Sequence, residues 1–357
     1  MVERNCWEAV VSALEAEGVE YVFGMPGSSK MLYDALYDSG KIRSIHARDQ
    51  LSGVFMATGY SRVSGKHGVC YGGPGPGMTN MISGLLEADA MCAPLIILSA
   101  SVSTELRGLP GFQEAEQLEL AKPVTKQTIR VESPERITWA IRRAFQISMN
   151  GKPGPVYVEI PYDVSLTRVK MPEYMKAKPF LRYAGDPEQI SEAARLMLDS
   201  RRPVLFCGGG VILSGAFAET KRIVDDYHIP IFTSASGRGV ISEDHPLALG
   251  LTGVYSTEFS RKLLGEADLI IAVGTRCEQF ETANWKCLPS GCKLIHIDID
   301  PLEIARNWIP DVGVVGDAAL VLSEICDLLD AAEGSSNLWR ERGNDIARMK
   351  RAFCSKV

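Results

Sequence analysis

The feature that most constrains the fold is an alternation between short runs of β-branched and aromatic residues and longer stretches with a helical period. The first series of runs is EYVF, SIHA, GVCYG, PLIILSA and PVYVEI. The stretch from Gln50 to Val63, between two of these runs, has a period near 3.6 residues. Strands that alternate with helices form a parallel sheet with helices on both faces. We therefore expect an α/β fold.

A second series of the same kind follows, with the runs PVLFCGGG, PIFTSA, DLIIAVG, KLIHIDID and VGVVGD. It predicts another doubly wound parallel-sheet unit of roughly 140 residues, similar to a Rossmann fold. Between the two series, the segment KMPEYMKAKPFLRYAGDP contains three prolines and has no clean period. We predict a first domain at 1–170, a linker at 171–188, a second domain at 189–332 and a helical tail at 333–357.

The composition argues against several classes of protein. The net charge of −6 provides no basic field for nucleic acid or an anionic membrane surface. No apolar run approaches the roughly 18 to 20 residues that span a bilayer, and the nine cysteines form no CxxC pair. A cytoplasmic protein with reduced thiols and no metal site of its own is expected. The tail from Ser335 has six Arg or Lys against two Asp or Glu, which is typical of a solvated helix or a connector to a partner.

Two glycine-rich turns are the first candidate ligand loops. FGMPGSS contains Gly24, Pro26 and Gly27 after the first long strand, and GGPGPGMTN, residues 72–80, lies between a predicted strand and a predicted helix. Such turns lie at the carboxyl edge of a parallel sheet, where ligands usually bind. Neither turn has the spacing of a Rossmann GxGxxG or a phosphate-binding Walker loop. Each turn alone is weak evidence, because structural turns of this composition are common.

Eight segments, taken in order, resemble the thiamine diphosphate enzymes of the acetolactate synthase (large subunit) group. They are FGMPGSS, GYSRVSGKHGVC, GPGMTN, GFQE, GKPGPVYVEIPYDV, SEDHPLALG, ADLIIAVGTR and HIDIDPLEIARN. The resemblance runs from near residue 3 to about residue 332. It implies that the first domain binds the aminopyrimidine ring of thiamine diphosphate and that the second is the family's central domain. By this resemblance the cofactor-binding residues of the first domain are Gly24, Met25, Pro26, Gly27, Pro76, Gly77, Asn80 and Phe112, and Gln113 is catalytic and faces the substrate.

The chain departs from the family at the position of the cofactor-activating glutamate. Counting back from Gly59 and Tyr60, this position falls on Gln50, whereas a shift of one residue would place Asp49 there. The alignment without an insertion favours Gln50. A glutamine amide can donate a hydrogen bond to pyrimidine N1′ but cannot transfer a proton at neutral pH, as a carboxylic acid can. We expect slower or differently tuned cofactor activation, which does not imply inactivity because glyoxylate carboligase of this family also lacks the glutamate.

Asp49 is the alternative source of a carboxyl group. If its side chain swings toward the ring, its pKa should rise in a dry pocket. Gln50, Asp49 and Gln113 are therefore the three candidate catalytic residues.

The family's diphosphate domain carries a GDG motif followed by an asparagine that together hold Mg²⁺, and no such motif occurs here. The pair Gly316 and Asp317 matches the end of the central domain instead. We expect a split enzyme whose partner, a chain of roughly 180 to 200 residues, holds the diphosphate and Mg²⁺, with truncation as the alternative. The resemblance implies a homodimer of the heterodimer that decarboxylates or joins small 2-oxo acids or aldehydes. A regulatory, non-catalytic subunit that binds a nucleotide or a related enzyme is the competing hypothesis.

The second domain resembles the one that holds FAD in acetolactate synthases and ADP or nothing in relatives. Its candidate cofactor contacts lie at predicted strand ends and are Gly208, Gly209, Gly274, Arg276 and Asp298. The competing interpretation is a relic pocket with tight turns, and a nucleotide-binding oxidoreductase ranks last because no GxGxxG precedes an acidic residue.

Overall fold

The computed structural model describes residues 2–27, 30–178, 181–332, 337 and 339–355. The chain divides into two compact units, Met1–Leu181 and Arg182–Val357. Residues 179–180 of the predicted linker, and 333–336, 338 and 356–357 of the predicted tail, lie outside the described residues. Within the described part of the chain, no helix is long and apolar enough to cross a membrane.

The first unit contains a six-stranded parallel sheet and a short antiparallel pair of strands. Its strands are β1 (Val2–Arg4), β2 (Tyr21–Gly24), β3 (Arg43–His46), β4 (Gly68–Gly72), β5 (Leu95–Ser101), β6 (Gln127–Arg130), β7 (Val156–Pro161) and β8 (Val169–Met171). Its helices are α1 (Cys6–Glu17), α2 (Lys30–Ser39), α3 (Gln50–Ser64), α4 (Pro76–Thr79), α5 (Ile82–Ala90), α6 (Gln117–Ala121), α7 (Ile137–Met149) and α8 (Tyr162–Leu166). The strand order is β3-β2-β4-β5-β7-β6, and β1 pairs with β8.

Helices cover both faces of this sheet. On one face α1, α2 and α7 pack around Trp7, Leu14 and Phe145, and on the other α3, α5 and α6 pack around Val54 and Leu85. The strands β4, β5 and β7 are buried along their whole length, as the central strands of a parallel sheet must be. The prediction of a doubly wound α/β unit is confirmed.

The second unit contains another six-stranded parallel sheet, in the order β11-β10-β9-β12-β13-β14. Its strands are β9 (Pro203–Cys207), β10 (Ile231–Thr233), β11 (Ala248–Leu251), β12 (Leu269–Val273), β13 (Lys293–Asp298) and β14 (Val312–Val315). Its helices are α9 (Pro187–Leu198), α10 (Gly209–Ser214), α11 (Phe217–Asp225), α12 (Glu258–Gly265), α13 (Ala318–Ala331) and α14 (Arg340–Cys354). The predicted second α/β unit is confirmed as well.

Helix α14, in the basic tail, packs on the second unit. Trp339 is 1% exposed and donates its indole N–H to the Ser200 carbonyl, and Ile346 is also buried. Phe353 stacks on Phe259 with the ring centroids 5.3 Å apart. The helix is therefore amphipathic rather than solvated on all sides, a distinction that its charge count could not make.

His67, just before β4, predicts that the first unit is sensitive to acid. Its ring lies 4.6 Å from that of Phe145, and its Nε2 atom has no hydrogen-bond partner among the described residues. Burial lowers its pKa from 6.5 to about 4. The unfolded chain therefore binds a proton at His67 more readily than the folded chain does. The free energy of unfolding should decrease as pH falls from about 6.5 to about 4, by up to about 3 kcal/mol.

The test is urea unfolding of the first unit across this pH range. We expect His67→Asn, which removes the titrating group, to flatten the pH dependence relative to the parent. His46→Asn is the matched control, because His46 is exposed. Equal pH slopes in the parent and His67→Asn would contradict the assignment.

Candidate functional site

The candidate site lies at the carboxyl edge of the first sheet, where the strand order reverses. The chain passes from β2 to its neighbour β3 and then crosses to β4 on the other side of β2. The loops that follow β2 and β4 therefore diverge and leave a crevice between them, the usual ligand position in doubly wound folds. Both predicted glycine-rich turns lie at this point.

A cavity of about 720 Å³ opens at this edge. Its lining includes seven predicted site residues, which are Met25, Gly27, Gln50, Pro76, Gly77, Asn80 and Gln113. It also includes Gly73, Pro74 and Thr79, which were not predicted. Gly24, Pro26, Asp49 and Phe112 do not line it. The chain thus brings together four segments that are separate in sequence.

Gln50, the first residue of α3, presents an amide to this cavity. Its side chain is only 9% exposed, and its Oε1 atom accepts a hydrogen bond from Asn80 Nδ2 at 3.1 Å. This bond orients the amide so that its Nε2 faces Gly77, where an added Cβ atom would lie 3.5 Å from Nε2. The N–H groups of Gln50 are therefore hydrogen-bond donors on this wall of the cavity, and they suit an acceptor nitrogen of a flat ring.

The glycine-rich loop after β4 is held by close backbone packing. Gly75 has φ 54°, and a Cβ atom there would lie 2.5 Å from the carbonyl oxygen of Gln113. Gln113 itself has φ 62°, in the left-handed region that few non-glycine residues occupy. Only glycine at position 75 allows the GGPGPG loop and the GFQE turn to meet. Their contact places Gln113 on the cavity wall.

Asp49 has a structural role in this arrangement. It is the N-cap of α3, where its carboxylate accepts hydrogen bonds from Ser52 N at 2.8 Å and Ser52 Oγ at 2.9 Å. These bonds lower the Asp49 pKa, which is the opposite of the rise expected for a carboxyl in a dry pocket. The hypothesis that Asp49 serves the cavity does not agree with this position, because the carboxylate is committed to the helix end.

Phe112 and Gly24 also differ from expectation. The Phe112 side chain is 89% exposed and is not among the residues that line the cavity. Gly24 ends β2, and a Cβ atom there would lie 2.5 Å from the carbonyl oxygen of Tyr71. The role of this glycine is thus close packing of β2 against β4.

A buried polar group beneath the cavity was missed by the sequence reasoning. Gln117 is 1% exposed, and its Oε1 accepts a hydrogen bond from Gly75 N at 2.6 Å. Its Nε2 lies 3.4 Å from Oε2 of Glu159, a carboxylate that is 1% exposed and pairs with Arg130 at 2.6 Å. The one available signal was a glutamate within the otherwise apolar run VYVEI, because a charge in a central strand needs a partner.

The five candidates in the second unit lie at its carboxyl edge, where the order reverses between β9 and β12. An added Cβ atom at Gly208 would lie 2.2 Å from the Gly274 carbonyl oxygen, so these glycines permit close approach of two strand ends. Arg276 pairs with Glu278 at 3.3 Å, and Asp298 accepts a hydrogen bond from Asp300 N at 2.9 Å. Gly209 begins α10. The described residues contain no group of three or more His, Cys, Asp or Glu that could hold a metal.

Comparison with known families agrees with this geometry. Residues 4–120 match the model described as "Thiamine pyrophosphate enzyme, N-terminal TPP binding domain", and residues 190–325 match "Thiamine pyrophosphate enzyme, central domain". The first matched range contains every segment that lines the cavity.

Curated relatives extend the agreement over almost the whole chain. A probable acetolactate synthase large subunit of Methanocaldococcus jannaschii is 40% identical over 350 residues, which are 96% of this chain and 59% of the relative. One from Methanococcus aeolicus is 40% identical over 91% of this chain and 55% of the relative. An acetolactate synthase large subunit of Haemophilus influenzae is 36% identical over 90% of this chain and 57% of the relative. The chain spans little more than half the length of these relatives.

Two parallel sheets, each reversing its strand order at a carboxyl edge, place the chain among the doubly wound α/β proteins that bind ligands at such edges. Within that class, the chain belongs to the thiamine pyrophosphate enzyme family, of which it contains the N-terminal and central domains.

Proposed function

We propose that the chain binds the aminopyrimidine ring of thiamine pyrophosphate and takes part in making or breaking a carbon–carbon bond next to a carbonyl group. The observation that carries this proposal is the Gln50 amide, fixed by Asn80 and facing a cavity at the switch point. An N–H donor on one wall with Met25, Pro74 and Pro76 around it suits a flat ring that has acceptor nitrogens. When bound, the cofactor would act as the electron sink for the bond next to the carbonyl.

The chain's own residues would bind and orient the ring. The Gln50 amide would donate a hydrogen bond to pyrimidine N1′, and Asn80 would keep that amide in its orientation. Because an amide holds its protons at neutral pH, Gln50 would position the ring without exchanging a proton with it. Gln113 also lines the cavity and would approach the substrate.

A diphosphate-binding domain outside these 357 residues is the second part of the proposal. The matched segment covers only 59% and 55% of the two methanogen relatives, and the sequence contains no GDG motif to hold a diphosphate and Mg²⁺. We propose a small 2-oxo acid or aldehyde as the substrate, and a homodimer of the heterodimer as the assembly. FAD or ADP in the second unit is not included, because close backbone packing accounts for Gly208 and Gly274.

The test is calorimetric titration of the chain, mixed with a diphosphate-binding domain of its organism, with thiamine pyrophosphate and Mg²⁺. We expect saturable binding, and consumption of a 2-oxo acid such as pyruvate by the mixture. Gly77→Val, which fills the space in front of Gln50 Nε2, should weaken binding at least about 100-fold.

Gly59→Ala is the matched control, because Gly59 is exposed on α3 and an added Cβ meets nothing within 4 Å. It should bind as the parent does. Absence of binding in the parent mixture would contradict the proposal, and binding without turnover would favour a regulatory subunit.

A further inference from the structure

Gln117, the first residue of α6, makes an unusual number of polar contacts for a buried amide. Its Oε1 accepts from Gly75 N at 2.6 Å, and its Nε2 donates to the Ala100 carbonyl at 3.1 Å. The same Nε2 lies 2.9 Å from Tyr157 Oη and 3.4 Å from Glu159 Oε2. An amide nitrogen has two N–H groups, so three acceptors compete for them and the side chain is fixed from both ends.

The contacts on the Nε2 side belong to a rigid part of the sheet. Tyr157 and Glu159 lie on the central strand β7 and are 0% and 1% exposed. Glu159 Oε1 accepts from Arg130 Nε at 2.6 Å, from the neighbouring strand β6. A buried, hydrogen-bonded network of this kind has few alternative arrangements. The amide of Gln117 is therefore bonded to side chains that have fixed positions.

The contact on the Oε1 side reaches the cavity wall. Gly75 lies in the GGPGPG loop, immediately before Pro76 and Gly77, which line the cavity. Because Gly75 also packs against the backbone of Gln113, its position determines where the glycine-rich loop and the GFQE turn lie. A loop so rich in glycine has little conformational preference of its own.

We propose that Gln117 is a positioning residue, whose amide holds the glycine-rich loop at Gly75 against the buried Glu159 carboxylate, the partner of Arg130, and thereby sets the shape of the candidate cofactor cavity. The anchor, by which we mean the hydrogen bond from Gly75 N to Gln117 Oε1, is inferred from the contacts alone. Its consequence for ligand binding rests on the proposed function. The two are measured separately.

The anchor is tested by hydrogen exchange of the Gly75 amide in the full chain without ligand. In Gln117→Met, which keeps the side-chain length and removes the hydrogen bonds, we expect exchange at Gly75 to be at least about tenfold faster. Amides of β12 in the second unit should be unchanged. Gln127→Met is the matched control, because Gln127 is exposed on β6. Unchanged protection at Gly75 in Gln117→Met would overturn the proposal.

Gln117→Glu provides a readout that a merely structural role would not produce. The new carboxyl would lie beside Glu159, and the two can share one proton at low pH but repel each other when both ionise. Protection of Gly75 should therefore be retained at low pH and lost as pH rises, whereas the parent shows no such change. This variant also keeps the test open if Gln117→Met fails to fold. A protection factor of the Gly75 amide that does not change with pH in Gln117→Glu would count against the proposal that Gln117 holds the loop.

The consequence for binding is measured with thiamine pyrophosphate, Mg²⁺ and a diphosphate-binding domain. We expect about tenfold weaker binding in Gln117→Met, and weakening with rising pH in Gln117→Glu. Faster Gly75 exchange with unchanged affinity would overturn the positioning role. If the parent itself does not bind the cofactor, the proposed function fails while the exchange result still decides the anchor.

Discussion

Replacing Gln50 with glutamate is expected to raise, by about 100-fold at neutral pH, the rate at which bound thiamine pyrophosphate exchanges its C2 proton with solvent. General acid–base groups typically contribute 10²–10⁴-fold to a rate, and an amide provides no such contribution. The glutamate would have the same shape as Gln50. One carboxyl oxygen would accept the hydrogen bond from Asn80, and the other would occupy the Nε2 position that faces Gly77.

The pH dependence of Gln50→Glu should identify the new group. Position 50 is buried, and burial raises the pKa of a carboxyl because it disfavours the charged form. A proton held in this way is present below the raised pKa and is lost as pH increases through it. The C2 exchange rate of the variant should therefore fall at high pH along a titration that the parent lacks. The measurement is NMR of the C2 proton after rapid quenching in D₂O, at a series of pH values.

Asp49→Asn is the control for this experiment. Asparagine caps a helix about as well as aspartate, so the Ser52 contacts and α3 should persist without the carboxyl. We expect C2 exchange at the parent rate. A collapse confined to Asp49→Asn would show that Asp49 is the proton donor after all and would contradict the assignment to Gln50.

The parts of the fold that the sequence predicts are those that depend on local pattern. The buried strands β4, β5 and β7 are mostly apolar runs, and turns rich in glycine and proline follow β2 and β4. Counting back from Gly59 and Tyr60 selects Gln50, and the structure has this residue on the cavity wall at the start of helix α3, which continues to Ser64 without interruption.

The parts that could not be predicted depend on where side chains point. Asp49 is adjacent to Gln50 in sequence, but the start of α3 turns its carboxylate back onto Ser52. Phe112 is adjacent to Gln113, but only Gln113 lies on the cavity wall. The hydrogen bond of Gln117 to Gly75 joins residues 42 positions apart, and no local period carries that information.

Replacing Arg130 with leucine is expected to destabilise the first unit by about 3–5 kcal/mol, because it leaves the Glu159 carboxylate buried without its partner. Glu159 is 1% exposed, and its surroundings are the sheet interior, Gln117 and Tyr157. Arg130 is 17% exposed, so the opposite change, Glu159→Gln, leaves a guanidinium that can still reach solvent. It should cost less than Arg130→Leu.

The double variant Arg130→Leu/Glu159→Gln separates the energy of the ion pair from the packing contributions of the two side chains. With both charges gone, no buried ion lacks a partner, so the cost should be well below the sum of the two single costs. Urea unfolding, monitored by hydrogen exchange of the β7 amides, gives the destabilisation of the two single variants and of the double variant. Lys66→Met is the control, because the Lys66–Glu20 pair is half exposed on both sides and should contribute little. Additive costs would mean that Arg130 and Glu159 act independently. The group to which Gln117 ties the loop would then not be a coupled ion pair.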